Sequence, residues 1–329
     1  MSSSFDAQLT GLHARSEPLI ELTREYDRNR VPFEKVEDQL QNETRELVKL
    51  QESLGCKYQT DGALSWKDQL RPVVESISGL AETTRYSRWF DTNTFYKKPI
   101  VNGKIELVKF DSSNFIKTNL LSRSRKWKVI LPGPYTLAEL SENKHYSTQL
   151  ELERAFASVL HEIVLRLNGV GVKLFQLSEP SLVYWPYRET PPTKDEMGQA
   201  IDSIRSVVEG IPAEFIVNTF FGDAAPVLSS LQSLPIKAVG VDLYETDWQA
   251  LPQERSEVGL LLGIVDSEES GVETPKWIFD TASKVKEKLN PPSLILAPNT
   301  DLKFVTREIA DKKISSLGKA AKQLEGGYS

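Results

Sequence analysis

The chain has 329 residues, 40% hydrophobic and 26% charged, with a formal net charge of −6. No apolar run approaches the roughly 20 residues that a bilayer crossing requires, and Lys and Arg are scattered among Asp and Glu instead of forming a basic face. The expectation is a cytoplasmic globular protein with no membrane and no nucleic-acid partner.

The opening segment, Met1-Ser2-Ser3-Ser4-Phe5-Asp6, lacks the basic-then-apolar layout of a secretory signal. A first strand is predicted over 8–12. Residues 17–55 then read as two helices broken near Val31-Pro32, the second carrying Val36, Leu40, Leu47, Val48 and Leu50 on a helical period. Strand signals recur at 57–61, 128–132, 172–177, 214–219, 237–242, 258–264 and 293–298. Segments long enough for crossover helices, such as 147–168, 194–208, 224–233 and 303–324, separate most of them. That alternation predicts a parallel sheet, and eight strands suffice to close it.

Several of these apolar runs end in polar residues, Gly or Pro, as in Leu174-Phe175-Gln176-Leu177-Ser178-Glu179-Pro180 and Phe215-Ile216-Val217-Asn218-Thr219. Strands that deliver polar groups only at their C-terminal ends describe a (β/α)8 barrel with one functional rim. The expected organisation is a single barrel domain over 1–329, with an N-terminal helical extension and an insertion over 79–127 after the second strand. Inside that insertion, Phe95–Val101 and Ile105–Phe110 flank Asn102-Gly103, which predicts an antiparallel hairpin lying over the rim. The terminal Gly326-Gly327-Tyr328-Ser329 is expected to fray.

The lone cysteine, Cys56, forbids an internal disulfide and any cysteine-rich metal cage, and is expected as a buried strand residue. The three histidines, His13, His145 and His161, are too far apart to suggest a chelating set. His13 lies beside the first strand tip and reads either as a rim group or as a hydrogen-bonded fixture. Asn168-Gly169-Val170-Gly171 leads into a strand, the reverse of the order a dinucleotide loop requires.

Four rim segments occur in an order that resembles cobalamin-independent methionine synthase, whose full-length form has two related barrels. They are Arg88-Trp89-Phe90-Asp91-Thr92-Asn93-Thr94-Phe95-Tyr96, Pro132-Gly133-Pro134-Tyr135-Thr136, Gln176-Leu177-Ser178-Glu179-Pro180-Ser181-Leu182 and Ala297-Pro298-Asn299-Thr300-Asp301. The first of them, with Asn218-Thr219-Phe220-Phe221-Gly222-Asp223, resembles the N-terminal barrel more than the zinc-bearing catalytic one.

The resemblance implies that Asn218, Phe220, Asp242 and Thr300 stand where the catalytic barrel has His, Cys, Glu and Cys on zinc. Of these only Asp242 is a good zinc donor, so no metal site is expected in this chain. The segments Gly11-Leu12 and Gly62-Ala63 replace two of that barrel's amino-acid-binding segments, whereas Asp266 and Glu179 are retained acids. Glu179 reads either as a ligand contact or as an acceptor for turn amides, and Asp242 as a ligand contact or a helix cap. The loop after Asp266 is polar enough to act as a lid.

The candidate catalytic residues are Glu179, Asp242 and Asp266. The candidate substrate-binding residues are Arg15, Arg88, Trp89, Asp91, Asn93, Gln176, Glu179, Asn218 and Asp266. With Arg85, Lys97 and Lys98, the insertion alternates cationic and aromatic groups suited to a pterin ring or an anionic tail, or forms an ordinary solvated hairpin. The resemblance implies a role in methionine biosynthesis as the zinc-free partner or subunit of a separate zinc-bearing homocysteine S-methyltransferase. It implies a methyltetrahydrofolate-type methyl donor, with zinc only in the partner chain. The alternatives are an independent metal-free methyltransferase or uroporphyrinogen decarboxylase-like enzyme, and a pseudoenzyme that binds a folate or an amino acid.

Overall fold

The computed structural model describes residues 4–82, 85–120, 126–251 and 255–327. The first half of the chain runs β1 (Ser4–Ala7), α1 (Glu17–Asp27), α2 (Phe33–Leu54), β2 (Tyr58–Gln59), α3 (Arg71–Val74), β3 (Tyr86–Arg88), β4 (Phe95–Lys97), β5 (Ile100–Val101), β6 (Lys126–Pro132), α4 (Pro134–Glu139) and β7 (Glu142–Asn143). The second half runs α5 (Gln149–Gly169), β8 (Val172–Ser178), α6 (Lys194–Val208), β9 (Glu214–Asn218), α7 (Leu228–Gln232), β10 (Ala238–Asp242), β11 (Gly259–Val265), α8 (Pro275–Leu289), β12 (Ser293–Pro298) and α9 (Arg307–Gly327).

Eight strands form one parallel sheet in the order β1-β12-β11-β10-β9-β8-β6-β2. At the seam between the end strands, Asp6 Oδ1 accepts the backbone N–H of Lys57 at 2.9 Å, and further along His13 N donates to Gly62 O at 2.9 Å. The curled sheet encloses a small apolar plug of Tyr58, Leu174, Ile216, Ala238, Leu261, Ile295 and Ala297. Directly paired residues of parallel strands share a face, so Lys128, Leu174 and Glu214 point one way, as do Ser178 and Asn218 above them. The strands are buried on both faces because helices cover the outside, as all-parallel sheets require. This is the expected (β/α)8 barrel.

Helix boundaries follow local chemistry. Thr193 and Glu196 form a reciprocal capping box at the start of α6, Thr274 and Pro275 open α8, and Gly55 at φ +80 ends α2. The Thr274-Pro275 pair that opens α8 is a start signal local to the sequence.

Several expectations shift. The first strand is Ser4–Ala7, upstream of 8–12: past Gln8, whose N–H still donates to Leu296 O, the Thr10 hydroxyl donates to Pro298 O at 2.8 Å and lies 3.1 Å from Thr300 O in place of ladder amides. Cys56 is buried but lies in the loop after Gly55, just outside β2. The expected helix over 224–233 is reduced to the short α7, and Gly326 and Gly327 belong to α9 instead of a frayed tail, while Tyr328 and Ser329 lie outside the described residues.

The insertion does contain an antiparallel hairpin, but it pairs β3 with β4 through the turn at 89–94. Asn102-Gly103 also turns the chain, yet its flanks pair elsewhere: Val101 bridges to Leu80, Leu107 bridges to Ile77, and β5 pairs with β7. Gly79 explains the difference. It sits at φ +80 with the carbonyls of Gly103 and Lys104 so close that a Cβ would lie 2.6 and 2.4 Å from them, and its own carbonyl takes the N–H groups of Asn102 and Gly103.

Candidate functional site

The tips of β9 to β12 converge on Asp242. Its Oδ1 accepts Tyr244 N at 3.0 Å, its Oδ2 accepts Phe221 N at 3.4 Å, and Asn299 Nδ2 lies 3.4 and 3.3 Å from the two oxygens. Asn299 Oδ1 in turn takes Ser267 N and Thr300 N. Asp242 therefore ties three loops together; among the described residues no α-helix lies between β10 and β11 for its side chain to cap. Burial pushes its carboxyl up to about 7, against the pull of the amides of Tyr244 and Phe221. A carboxyl in that range can exchange a proton near neutrality.

Across the barrel, Gln176 Nε2 donates to Thr10 O at 2.6 Å, and Asn218 packs so tightly on Gly240 that a Cβ there would lie 1.9 Å from Asn218 Oδ1. Gln176 Oε1, Asn218 Nδ2 and Thr300 Oγ1 are buried with no hydrogen-bond partner among the described residues. Below them Lys128, missed in the sequence, is 1% exposed and donates to Gln8 Oε1 and Leu9 O. Desolvation drops its ammonium to about 7.

Glu179 lies at the end of β8 and is fully buried. Its Oε1 accepts Tyr135 N at 3.1 Å and its Oε2 accepts Thr136 N at 2.8 Å, so both oxygens cap the opening turn of α4. Of its two sequence readings, this is the geometry of the turn acceptor. Burial drives its carboxyl up to about 8, with the neighbouring Glu153 adding in the same direction and Thr136 and Tyr135 opposing.

The hairpin residues divide by face. Trp89 is buried and stacks edge-on against Phe90 and Tyr96, its Nε1 without a partner among the described residues, whereas Arg88, Asp91 and Asn93 are exposed. Two tyrosines from the loop after β8 clasp the turn: the Tyr184 hydroxyl bonds Asp91 and the Tyr187 hydroxyl bonds Arg88 O. The Phe90 ring meets that of Phe221 at 5.4 Å, and both residues hold positive φ, +49 and +70. Bulky residues rarely adopt that conformation, and such strain concentrates at functional rims.

The remaining candidates stand apart. Asp266 Oδ1 accepts the amides of Glu268 and Glu269, shaping the start of its loop. Arg15 lies beyond β1 and donates Nη2 to Trp66 O at 2.6 Å. His13 is 2% exposed and holds Asp311 Oδ1 at 2.9 Å through Nε2. The structure thus brings Asp242, Gln176 and Asn218 to the barrel mouth, and keeps Arg15, Asp266 and the hairpin set at separate points around it.

The zinc reading can be tested on these donors. Asn218, Phe220, Asp242 and Thr300 offer an amide, a phenyl ring, one carboxylate and a hydroxyl, and both oxygens of that carboxylate already take protein donors. Zinc wants thiolate, imidazole or several carboxylates, so this set does not fit it. Among the described residues no other group of three His, Cys, Asp or Glu side chains is arranged to hold a metal.

A parallel barrel with polar groups gathered at its C-terminal mouth and a clasped hairpin beside them places its candidate site at the face where (β/α)8 barrels carry theirs. Residues 79–287 match the family described as cobalamin-independent synthase, N-terminal domain, and the chain belongs to that cobalamin-independent methionine synthase family. It is 24% identical over 315 residues to a methionine synthase of Sulfolobus acidocaldarius, covering 94% of this chain and 89% of the relative. It is 23% identical over 295 residues to one of Thermococcus kodakarensis, covering 88% and 84%. The structure of a B12-independent methionine synthase from Shewanella sp. W3-18-1 in complex with selenomethionine superposes with a TM-score of 0.74 at 17% identity, covering 99% of this chain and 98% of that one, a likeness of fold. Among the described residues no helix is long and apolar enough to cross a membrane.

Proposed function

We propose that this chain acts in methionine biosynthesis as the zinc-free partner of a separate, zinc-bearing homocysteine S-methyltransferase chain. The observation that carries the reading is the donor set at the barrel mouth: Asn218, Phe220, Asp242 and Thr300 supply no soft ligand. Homocysteine needs its sulfur held as a thiolate to attack a methyl group, and a thiolate-stabilising metal is the usual means.

The hairpin supports a docking role. Strand register puts Tyr86, Arg88, Phe95 and Lys97 on one face and Ser87 and Tyr96 on the other. Tyr96 is buried, whereas Tyr86 is 68% and Phe95 56% exposed. Exposed aromatic rings and arginine are the side-chain types enriched at protein interfaces, and rings beside cations also suit an anionic, ring-bearing methyl donor of the methyltetrahydrofolate class held between the two chains.

The test is homocysteine methylation from methyltetrahydrofolate by this chain alone, by a zinc-bearing family member alone, and by the two mixed, with zinc content measured on each. The expected result is no turnover and no stoichiometric zinc in this chain, and a raised kcat/KM in the mixture. Turnover by this chain alone rejects the partner role. It would favour the second reading, a metal-free enzyme, which the Asp242 carboxyl near 7 supports.

A further inference from the structure

The outer ring of helices is incomplete beside the second strand. Between β2 and β6 the described chain supplies only the four-residue α3 and the short 3-10 turns Ser112–Asn114 and Thr118–Leu120, where a parallel crossover ordinarily runs through a full helix. The space left between α2 and these turns is a cavity of about 340 Å³, within the size range of small-molecule sites. None of the mouth residues Asp242, Gln176 and Asn218 lines it.

One wall is a single face of α2. Phe33, Glu37, Leu40, Gln41 and Thr44 follow one another at intervals of three and four or close to them, the spacing that stacks side chains on one side of a helix. Phe33 is 48% exposed, and Leu40 and the facing Leu120 are half-buried, so the apolar part of the lining is open to water. Burying such surface against an apolar group is favourable.

The two charged groups of the lining have opposite signs and come from different walls. Glu37 is exposed on α2, whereas Lys117 is half-buried in the segment of turns. The backbone N–H of Lys117 donates to the buried Asp61 Oδ2 at 2.9 Å, which fixes the point from which its side chain extends. Among the described residues neither charged side chain makes an ion pair; Asp61 and Asp111 act on the Lys117 charge only at longer range. Ser65 and Asn119 add a neutral hydroxyl and amide to the lining.

This combination selects among ligand classes. A phosphate or dicarboxylate would set its charge against Glu37, a diamine would set its charge against Lys117, and a hydrocarbon would desolvate both charges without pairing either. A zwitterion with an apolar side chain meets all three demands at once. We infer that this cavity binds a free apolar α-amino acid, its carboxylate at Lys117, its ammonium at Glu37 and its side chain against Phe33, Leu40 and Leu120. The site does not depend on pairing with a zinc-bearing chain, and its failure would leave that role untouched.

NMR titration of the full chain with L-leucine, L-methionine and L-phenylalanine, each alongside its N-acetyl and methyl-ester derivatives, tests it. The expected result is saturable shifts of the backbone amides of 33–44 and 113–120 with at least one free amino acid, and affinity about two- to fivefold lower when either charge is capped. Glu37→Gln and Lys117→Gln, which leave the backbone bonds of both walls in place, should each weaken binding by a similar factor. Selectivity gives the sharper readout: Lys117→Gln should bind the ester as well as the free amino acid, and Glu37→Gln should bind the N-acetyl form as well. No saturable shift with any of the three amino acids overturns the proposal, as do shifts confined to the mouth around Asp242 and Asn299, or affinity that both substitutions leave unchanged.

Discussion

The carboxylate of Glu179 occupies the space that a side chain on Gly133 would need. A Cβ at Gly133 would lie 2.0 Å from Glu179 Oε1 and 2.1 Å from its carboxyl carbon. Gly133 has ordinary extended backbone angles, so the requirement for glycine here is steric and comes from a residue on the neighbouring strand. The contact lets Glu179 reach the amides of Tyr135 and Thr136 while remaining wholly buried.

Gly133→Ala is therefore expected to displace the carboxylate and lower stability by about 1–3 kcal/mol, the usual range for overpacking. Glu179→Ala should cost about as much by leaving two buried amides unpaired. Urea unfolding of both variants checks this. If Gly133→Ala unfolds like the wild type, the close approach is not needed for the fold.

Asp242 gives a prediction in pH. Its carboxyl titrates at about 7 in the folded chain against 3.8 for the ordinary group, so the folded state holds this proton while the unfolded state releases it. Stability from this group is thus greatest below about pH 4 and declines as pH rises toward 7. In Asp242→Asn the decline should be shallower over that window, measured as unfolding free energy at several pH values. Parallel slopes for variant and wild type would assign the titration elsewhere.

The tyrosine clasp should control the hairpin without controlling the fold. Tyr187→Phe and Asp91→Ala each remove one partner of a hydrogen bond to the turn, worth about 1 kcal/mol. Amide exchange across 86–97 is expected to speed up severalfold while the melting temperature changes little, because the barrel core is untouched. Unchanged exchange in both variants would show that the hairpin is held without the clasp, by contacts such as Phe90 on Phe221 and the Tyr96 hydroxyl on Leu140 O.

The exposed rings make the partner role testable one residue at a time. Tyr86→Ala and Phe95→Ala remove side chains that the folded chain leaves largely in water, so stability should stay within about 0.5 kcal/mol of wild type. Affinity for the zinc-bearing chain, read by calorimetry or by activation of methylation, should fall about tenfold or more for at least one of them. Full affinity in the double variant would move the interface off the hairpin.

The sequence by itself determined the barrel. Its strands are apolar on both faces and its helices are amphipathic, so β8 and α6 could be read nearly to the residue from 172–177 and 194–208. Local caps such as the pair Thr193 and Glu196 mark helix ends because they act within one turn. Family-specific segments at the strand tips were legible for the same reason: each is contiguous along the chain.

Only the tertiary structure decided which groups meet. The Asn102-Gly103 signal is local and real, but the partner strands were chosen by the close approach of Gly79, more than twenty residues upstream. Asn299 bonds Asp242 across 57 positions, and the cavity of Phe33, Glu37 and Lys117 draws on α2 and on turns far downstream. Such pairings leave no periodicity to read, because they depend on how a twisted sheet curls and on which buried polar atoms then find a partner.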